Sequence, residues 1–255
     1  MIRHKCKIAA LLIVLIAFFV SSKILSIISS HGRDRKLLVR NASCYGRVLL
    51  KLLGIRVATR GKQKILSGNS RIILANHLSY IDVIAISSVL PSVFITSHEV
   101  RDLPIEGIMA HCAGSVFVDR RSTTTLRKDI RVISQLLREG FTIVLFPEAT
   151  SSPGESVLPF KSALLKAALD AGCDIVPVCI NYHSIDGNSI TKANRDRVFY
   201  YGDMELTRHL CALLKLRTID MELTFLPSIP SKNSARKKVA SMAFESILHM
   251  YKSIQ

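Results

Sequence analysis

His77 and Asp82 stand with four residues between them in the stretch Asn76-His77-Leu78-Ser79-Tyr80-Ile81-Asp82. An imidazole titrates near neutral pH and can take a proton from an alcohol. A carboxylate on its far ring nitrogen would fix the tautomer and stabilise the imidazolium that forms. If a helix starts near Ser79, Asp82 falls in its first turn and can fold back toward His77. Base-assisted acyl transfer needs such a pair just past a strand end. The run Arg71-Ile72-Ile73-Leu74-Ala75 supplies that strand, and Thr142-Ile143-Val144-Leu145 precedes a second polar stretch, Phe146-Pro147-Glu148-Ala149-Thr150, in the same way. On spacing alone the pair also reads as a surface histidine beside a helix-start aspartate.

The elements that must position these residues alternate at short intervals. Apolar patterning predicts strands over residues 71–76, 93–97, 115–119, 142–147, 174–181, 198–201 and 218–226. Helices are expected at residues 80–89, 105–112, 124–139, 160–171 and 205–214, with a closing helix at 233–251. Leu126, Ile130, Ile133 and Leu137 recur every three or four residues, one apolar face of a helix. The alternation predicts an α/β fold with a mixed, largely parallel sheet flanked by helices. Open sheets of this class hold ligands in loops at the carboxyl ends of their strands. Residues 77–82, 98–102, 119–121 and 148–161 all fall there, and this convergence lifts the His77–Asp82 pair above chance.

The 255 residues carry 35 Lys and Arg against 19 Asp and Glu, a net charge of +16. Such a surplus attracts polyanions, either nucleic acid or an anionic membrane. The basic residues crowd the N-terminal quarter beside an apolar segment, and no basic–aromatic block or Cys/His pairing marks a nucleic-acid module. A membrane is therefore the expected partner, and nucleic acid is not. Residues 8–20 form an unbroken apolar run, and continuing to residue 28 reaches spanning length. A charged start with a short apolar run also suits a cleaved leader. Basic residues continue directly afterwards, at Lys23, Arg35, Lys36 and Arg40 among others, which favours a retained anchor, spanning or dipping into one leaflet. Residues 34–54 predict a basic amphipathic helix suited to an anionic bilayer. The expected division is a membrane-anchoring helical segment at residues 1–56 and an α/β domain at residues 57–255. Six cysteines without a Cys-x2-Cys pair read as reduced thiols, with no zinc site, in a cytoplasm-facing domain.

Four motifs in order resemble the glycerolipid acyltransferases typified by lysophosphatidic acid acyltransferase. They are Asn76-His77 through Asp82; Gly114 to Arg121, which includes Phe117-Val118-Asp119-Arg120; Phe146-Pro147-Glu148-Ala149-Thr150; and Ile175-Val176-Pro177-Val178. The resemblance covers about residues 57–227. It implies a membrane-bound O-acyltransferase with no cofactor. The fatty acyl group would pass from acyl-CoA or acyl-carrier protein to the free hydroxyl of a lysolipid. His77 would be the general base and Asp82 its orienting carboxylate. Asn76, Arg120, Arg121, Glu148, Ala149, Thr150 and Lys161 would serve substrate binding, Lys161 against a phosphate.

Two departures bear on the acceptor. Ala149 stands where the family usually has Gly; if that position needs a positive φ, a methyl group there carries strain. Ser151-Ser152-Pro153-Gly154 follows Thr150 where phosphatidic acid makers often have Arg, and the loss of a fixed cation weakens a phosphomonoester site. The segment through Leu158-Pro159-Phe160-Lys161-Ser162 resembles the lyso-ornithine lipid acyltransferase branch. 1-Acyl-glycerol-3-phosphate and a lyso-aminolipid are thus the two expected acceptors. A catalytically silent lipid-binding protein is the alternative of another class. A secreted hydrolase would need a Gly-x-Ser-x-Gly elbow, which the sequence lacks.

Overall fold

The computed structural model describes residues 2–28, 34–62, 70–119, 123–232 and 234–254. Strand β2 (Arg71–Ala75) lies at the centre of a sheet, between β5 (Thr142–Leu145) and β6 (Asp174–Ile185). On the β5 side follow β3 (Val93–Ser97) and β4 (Val116–Val118); on the β6 side follow β8 (Ile219–Phe225) and β1 (Ile55–Arg60). Every pairing from β4 to β6 is parallel. β8 runs antiparallel to β6 and carries β1 parallel to itself, and the short β7 (Asn188–Ser189) turns back onto β6. The sheet is mixed and mostly parallel, flanked by helices, as the apolar patterning predicts.

Side chains of the central strands alternate between two cores, because successive residues of a strand point to opposite faces. Ile73, Ala75, Val144, Val176, Val178 and Ile180 pack on one side, with α2 (Asp34–Leu53), α3 (Tyr80–Val89) and α8 (Leu206–Leu213). Ile72, Leu74, Ile143, Leu145 and Ile175 pack on the other, with α6 (Thr123–Arg138), α7 (Lys166–Ala171) and α9 (Arg236–Met250). Burial on both faces explains why β2 and β5 read as continuous apolar runs. Parallel pairing aligns the carboxyl ends of β2, β3, β4 and β5 along one edge, past which β6 continues to Ile185. Two short helices, α4 (His98–Arg101) and α5 (Glu106–Cys112), lie between β3 and β4.

Three sequence expectations are corrected. Residues 198–201 are not a strand: Val198 and Phe199 are buried, but the backbone reaches the neighbouring loop only where Tyr200 N–H donates to Leu78 O at 3.0 Å. The helix expected from residue 160 begins late, with a 3-10 turn at Ala163–Leu165 before α7. Lys161 N–H is already taken by Pro147 O at 2.9 Å. The unanticipated β1 is an edge strand whose outward Arg56 and Arg60 pair with Asp220 and Glu222 of β8. Its mostly exposed residues hide the strand from an apolar pattern. It starts two residues before the division placed at residue 57.

Helix α1 (Ile2–Ile28) is the helix among the described residues long and apolar enough to cross a membrane, over His4–Ile28. Leu11 and Phe18 are buried, and Asn41 of α2 donates to Ser21 and Ser22 at 3.0 and 2.9 Å. The Lys7 ammonium donates to Leu216 O at 2.8 Å and ties the amino end of α1 to the α/β body. On the other flank Ile13, Ile16, Val20, Ile24 and Ile27 form an exposed stripe at helical spacing. That stripe is the kind of contiguous apolar surface that marks a membrane or protein contact.

Candidate active site

The loop that carries His77 and Asp82 is built by the start of a helix. Ser79 caps α3 in an extended conformation and accepts from Ile81 N–H, while Asp82, three residues on, accepts from Ser79 N–H at 2.9 Å. This reciprocal capping box satisfies amide donors that a helix start leaves open, and the helix dipole favours the carboxylate there. The same Asp82 Oδ2 accepts from Leu78 N–H at 2.7 Å and from His77 Nδ1 at 3.0 Å. Asp82 Oδ1 accepts from the Tyr182 hydroxyl on β6 at 2.7 Å. With Nδ1 donating to the carboxylate, Nε2 keeps its lone pair for an incoming proton. Asp82 is 0 % exposed, whereas the His77 side chain is 19 % exposed, so the imidazole reaches solvent and its partner does not. Phe146 stacks on the imidazole at 4.0 Å between centroids and 15° between planes, holding the ring in one orientation.

The loop after β5 grips the backbone of His77 from the other side. Glu148 Oε1 accepts from His77 N–H at 3.1 Å, and Ser152 N–H donates to His77 O at 2.9 Å. Burial pushes the Glu148 carboxyl up to about 8, against N–H bonds from His77 and Leu158 that lower it; the charge of Asp82 adds to the rise. Glu148 therefore holds its proton to higher pH than an ordinary carboxyl. Its Oε2 is buried and has no hydrogen-bond partner among the described residues. Ala149 closes the turn with its N–H on Phe146 O at 3.1 Å, and its φ is +66°. The methyl departure at this position thus falls where an L-residue is strained.

An Acyltransferase family model matches residues 56–181. A lyso-ornithine lipid O-acyltransferase of Brucella abortus is 35% identical over 205 residues, covering 77% of this chain and 76% of that protein. The chain belongs to the acyltransferase family. A 1-acyl-sn-glycerol-3-phosphate acyltransferase of Neisseria gonorrhoeae is 32% identical over 158 residues, which cover 62% of this chain and span 60% of that enzyme's length. The crystal structure of the 1-acyl-sn-glycerophosphate (LPA) acyltransferase PlsC from Thermotoga maritima has the same fold. It gives a TM-score of 0.61 over 98% of this chain and 99% of that one, at 22% identity.

Within this family member the residues singled out by sequence take different places. His77, Asp82 and Glu148 converge. Asn76 is buried and spends both ends of its amide on β6: Nδ2 donates to Ile180 O at 3.0 Å, and Oδ1 accepts from Ile180 N–H at 2.8 Å. It continues the β2–β6 ladder by side chain and so fixes where the loop leaves the sheet. Thr150 is exposed, its hydroxyl on Ser151 O at 3.3 Å, and Lys161 is exposed beyond the same loop. Arg120 and Arg121 lie outside the described residues. Tyr182 was not anticipated. It is 100 residues from Asp82 in the chain, and the predicted strand stops at residue 181, one short of it. A longer reading of the run that becomes β6 would have brought a tyrosine to the sheet's buried interior, where its hydroxyl needs a partner.

Proposed function

We propose that this protein is a membrane-attached O-acyltransferase that acylates the free hydroxyl of a lysolipid. The observation that carries the reading is the His77 Nδ1 to Asp82 Oδ2 bond of 3.0 Å, in a loop at the carboxyl edge of the sheet. In this reading the acceptor hydroxyl gives its proton to His77 Nε2 as its oxygen attacks the carbonyl carbon of an acyl thioester. The carbon–sulfur bond then breaks, and the imidazolium returns the proton to the departing thiolate. The products are the diacylated lipid and free CoA or carrier-protein thiol. Asp82 stabilises the transient imidazolium, and Tyr182 holds the second oxygen of that carboxylate. No cofactor takes part. The donor is acyl-CoA or acyl-carrier protein, and the +16 charge suits both acidic carriers and an anionic bilayer.

The first acceptor reading is 1-acyl-glycerol-3-phosphate, giving phosphatidic acid, with Lys161, Arg120 and Arg121 toward the phosphate. A second reading, lyso-ornithine lipid, is favoured by Ser151 in place of a loop cation and by the longer match to the Brucella protein. Residues 1–56 attach the enzyme through the exposed stripe of α1 and the basic face of α2, with the α/β domain in the cytoplasm.

The test is an acceptor panel on washed membranes, with a labelled long-chain acyl thioester and His77→Ala as control. Transfer to lysophosphatidic acid that vanishes in His77→Ala supports the first reading; transfer to lyso-ornithine lipid alone supports the second. Near-normal turnover by His77→Ala would remove the general-base role. No transfer to any lysolipid would bring forward a silent lipid-binding protein.

A further inference from the structure

The segment after α9 lies outside residues 56–181 matched by the family model, yet it is bonded to the loop that grips His77. The Tyr251 hydroxyl donates to Gly154 O at 2.7 Å, and Ile254 N–H points to the same carbonyl at 3.3 Å. Asn181, 3 % exposed on β6, secures the segment from below. Its Nδ2 donates to Met250 O at 3.2 Å, and its Oδ1 accepts from Lys252 N–H at 2.9 Å. The loop is shaped to receive this contact. Gly154 has φ +80°, and a Cβ there would lie 2.5 Å from Phe199 Cε2 and 3.0 Å from the Tyr251 oxygen. Only glycine fits so close an approach in that conformation. Two residues earlier, Ser152 Oγ accepts from Gly154 N–H at 3.3 Å while Ser152 N–H holds His77 O at 2.9 Å. Nearby Val157 packs with Ile247 of α9 and Cys179 of β6, and Tyr251 lies against the three. The chain of contacts runs from Tyr251 to Gly154, to Ser152, to the backbone of the catalytic histidine.

We propose that Tyr251 is a positioning residue for the lysolipid acceptor, acting through the Ser152–Gly154 loop. The inference rests on the acyltransferase reading above, in which Lys161, beyond this loop, lies toward the acceptor. It also gives the Ser-Ser-Pro-Gly departure a structural purpose: the loop is set by a strap from the far end of the fold. The proposal assigns the loop to the acceptor and not to the acyl thioester, and varying the two substrates separates the effects.

The experiment compares Tyr251→Phe and Tyr251→Ala with the full-length wild type in steady-state kinetics, varying acceptor and donor in turn. Hydrogen exchange at residues 151–157 and the melting temperature are measured on the same samples. Tyr251→Phe should raise the acceptor KM about five-fold, the scale of one buried hydrogen bond, and Tyr251→Ala should raise it further. In Tyr251→Phe the donor KM should stay within about two-fold and the melting temperature should hold, while residues 151–157 exchange faster. Any fall in kcat, transmitted through Ser152 to His77, should stay smaller than the rise in acceptor KM. An unchanged acceptor KM in both variants overturns the proposal. So does a common fall of all kinetic parameters with the melting temperature. If the wild type transfers no acyl group, the functional reading fails by itself. Exchange then decides the strap: faster exchange in Tyr251→Phe upholds it, and unchanged exchange overturns it.

Discussion

The two loops that meet at His77 differ in how their central groups are held. In the loop after β2 the Asp82 carboxylate draws mostly on its own neighbours: it gathers His77, Leu78 and Ser79 within one helical turn, and Tyr182 is its distant donor. Ile180, Glu148, Ser152 and Tyr200 bond the rest of the loop from afar. The loop after β5 is held mostly by partners far away in the chain: His77, Tyr251 and Arg195, the last on Glu155 at 3.0 Å. A local capping box forms with the helix it starts, so His77 and Asp82 are preorganised before any ligand binds. A loop held by remote side chains takes shape only when the whole sheet and α9 are in place. In the proposed reading the chemistry sits on the locally capped His77–Asp82 pair, and acceptor recognition sits on the loop after β5.

Breaking the first loop should have the largest effect. Four donors converge on Asp82, so Asp82→Asn turns an amide N–H toward one of them and favours the wrong imidazole tautomer. We expect turnover to fall about 10³- to 10⁴-fold, measured as initial rate at saturating acceptor; a loss under ten-fold would mean that His77 does not rely on this carboxylate. Next comes the distant donor to that carboxylate. Tyr182→Phe removes a buried hydroxyl from the second carboxylate oxygen and should lower kcat about ten-fold, with both KM values little changed. An unaltered kcat would reduce Tyr182 to a packing residue.

The second loop is probed through its buried acid. Folded Glu148 keeps its proton up to about 8, whereas an unperturbed carboxyl loses it near 4.5. The folded state binds more protons across that window, so stability falls as pH rises through it. Glu148→Gln removes this slope and keeps an acceptor for His77 N–H. Denaturant midpoints of the variant should therefore gain on the wild type as pH rises from about 4.5 toward about 8. Parallel pH curves would show that Glu148 contributes no such linkage. The smallest effect concerns Ala149 at φ +66°. Ala149→Gly relieves about 1 kcal/mol of left-handed strain, partly offset by the extra freedom of unfolded glycine. A net gain of about 0.5 kcal/mol is expected from chemical denaturation, and a loss would mean that the methyl group packs favourably.

Legibility follows the same division. The His77–Asp82 contact was readable because a helix start three residues before Asp82 imposes it through local geometry. The strands β2, β3 and β5 were readable because burial on both faces demands unbroken apolar runs. β1 was not, since an edge strand with outward Arg56 and Arg60 has no apolar signature. Nor was the loop at residues 198–201, where Val198 and Phe199 are as apolar as a strand but find no backbone ladder. Asn76 was expected beside the substrate; its side chain instead continues the β2–β6 ladder, a use that depends on which strand lies next door.

What this protein's sequence determined unaided is therefore what depends on neighbours in the chain: the alternating elements, the capped helix that turns Asp82 onto His77, the apolar α1 and the family motifs in their order. Tertiary structure alone decided which distant groups complete the site. Tyr182 reaches Asp82 because β6 pairs with β2, and Tyr251 reaches Gly154 because α9 packs across β6. Such pairings reflect sheet order and packing over more than 90 residues of chain, and no local pattern of residues specifies them.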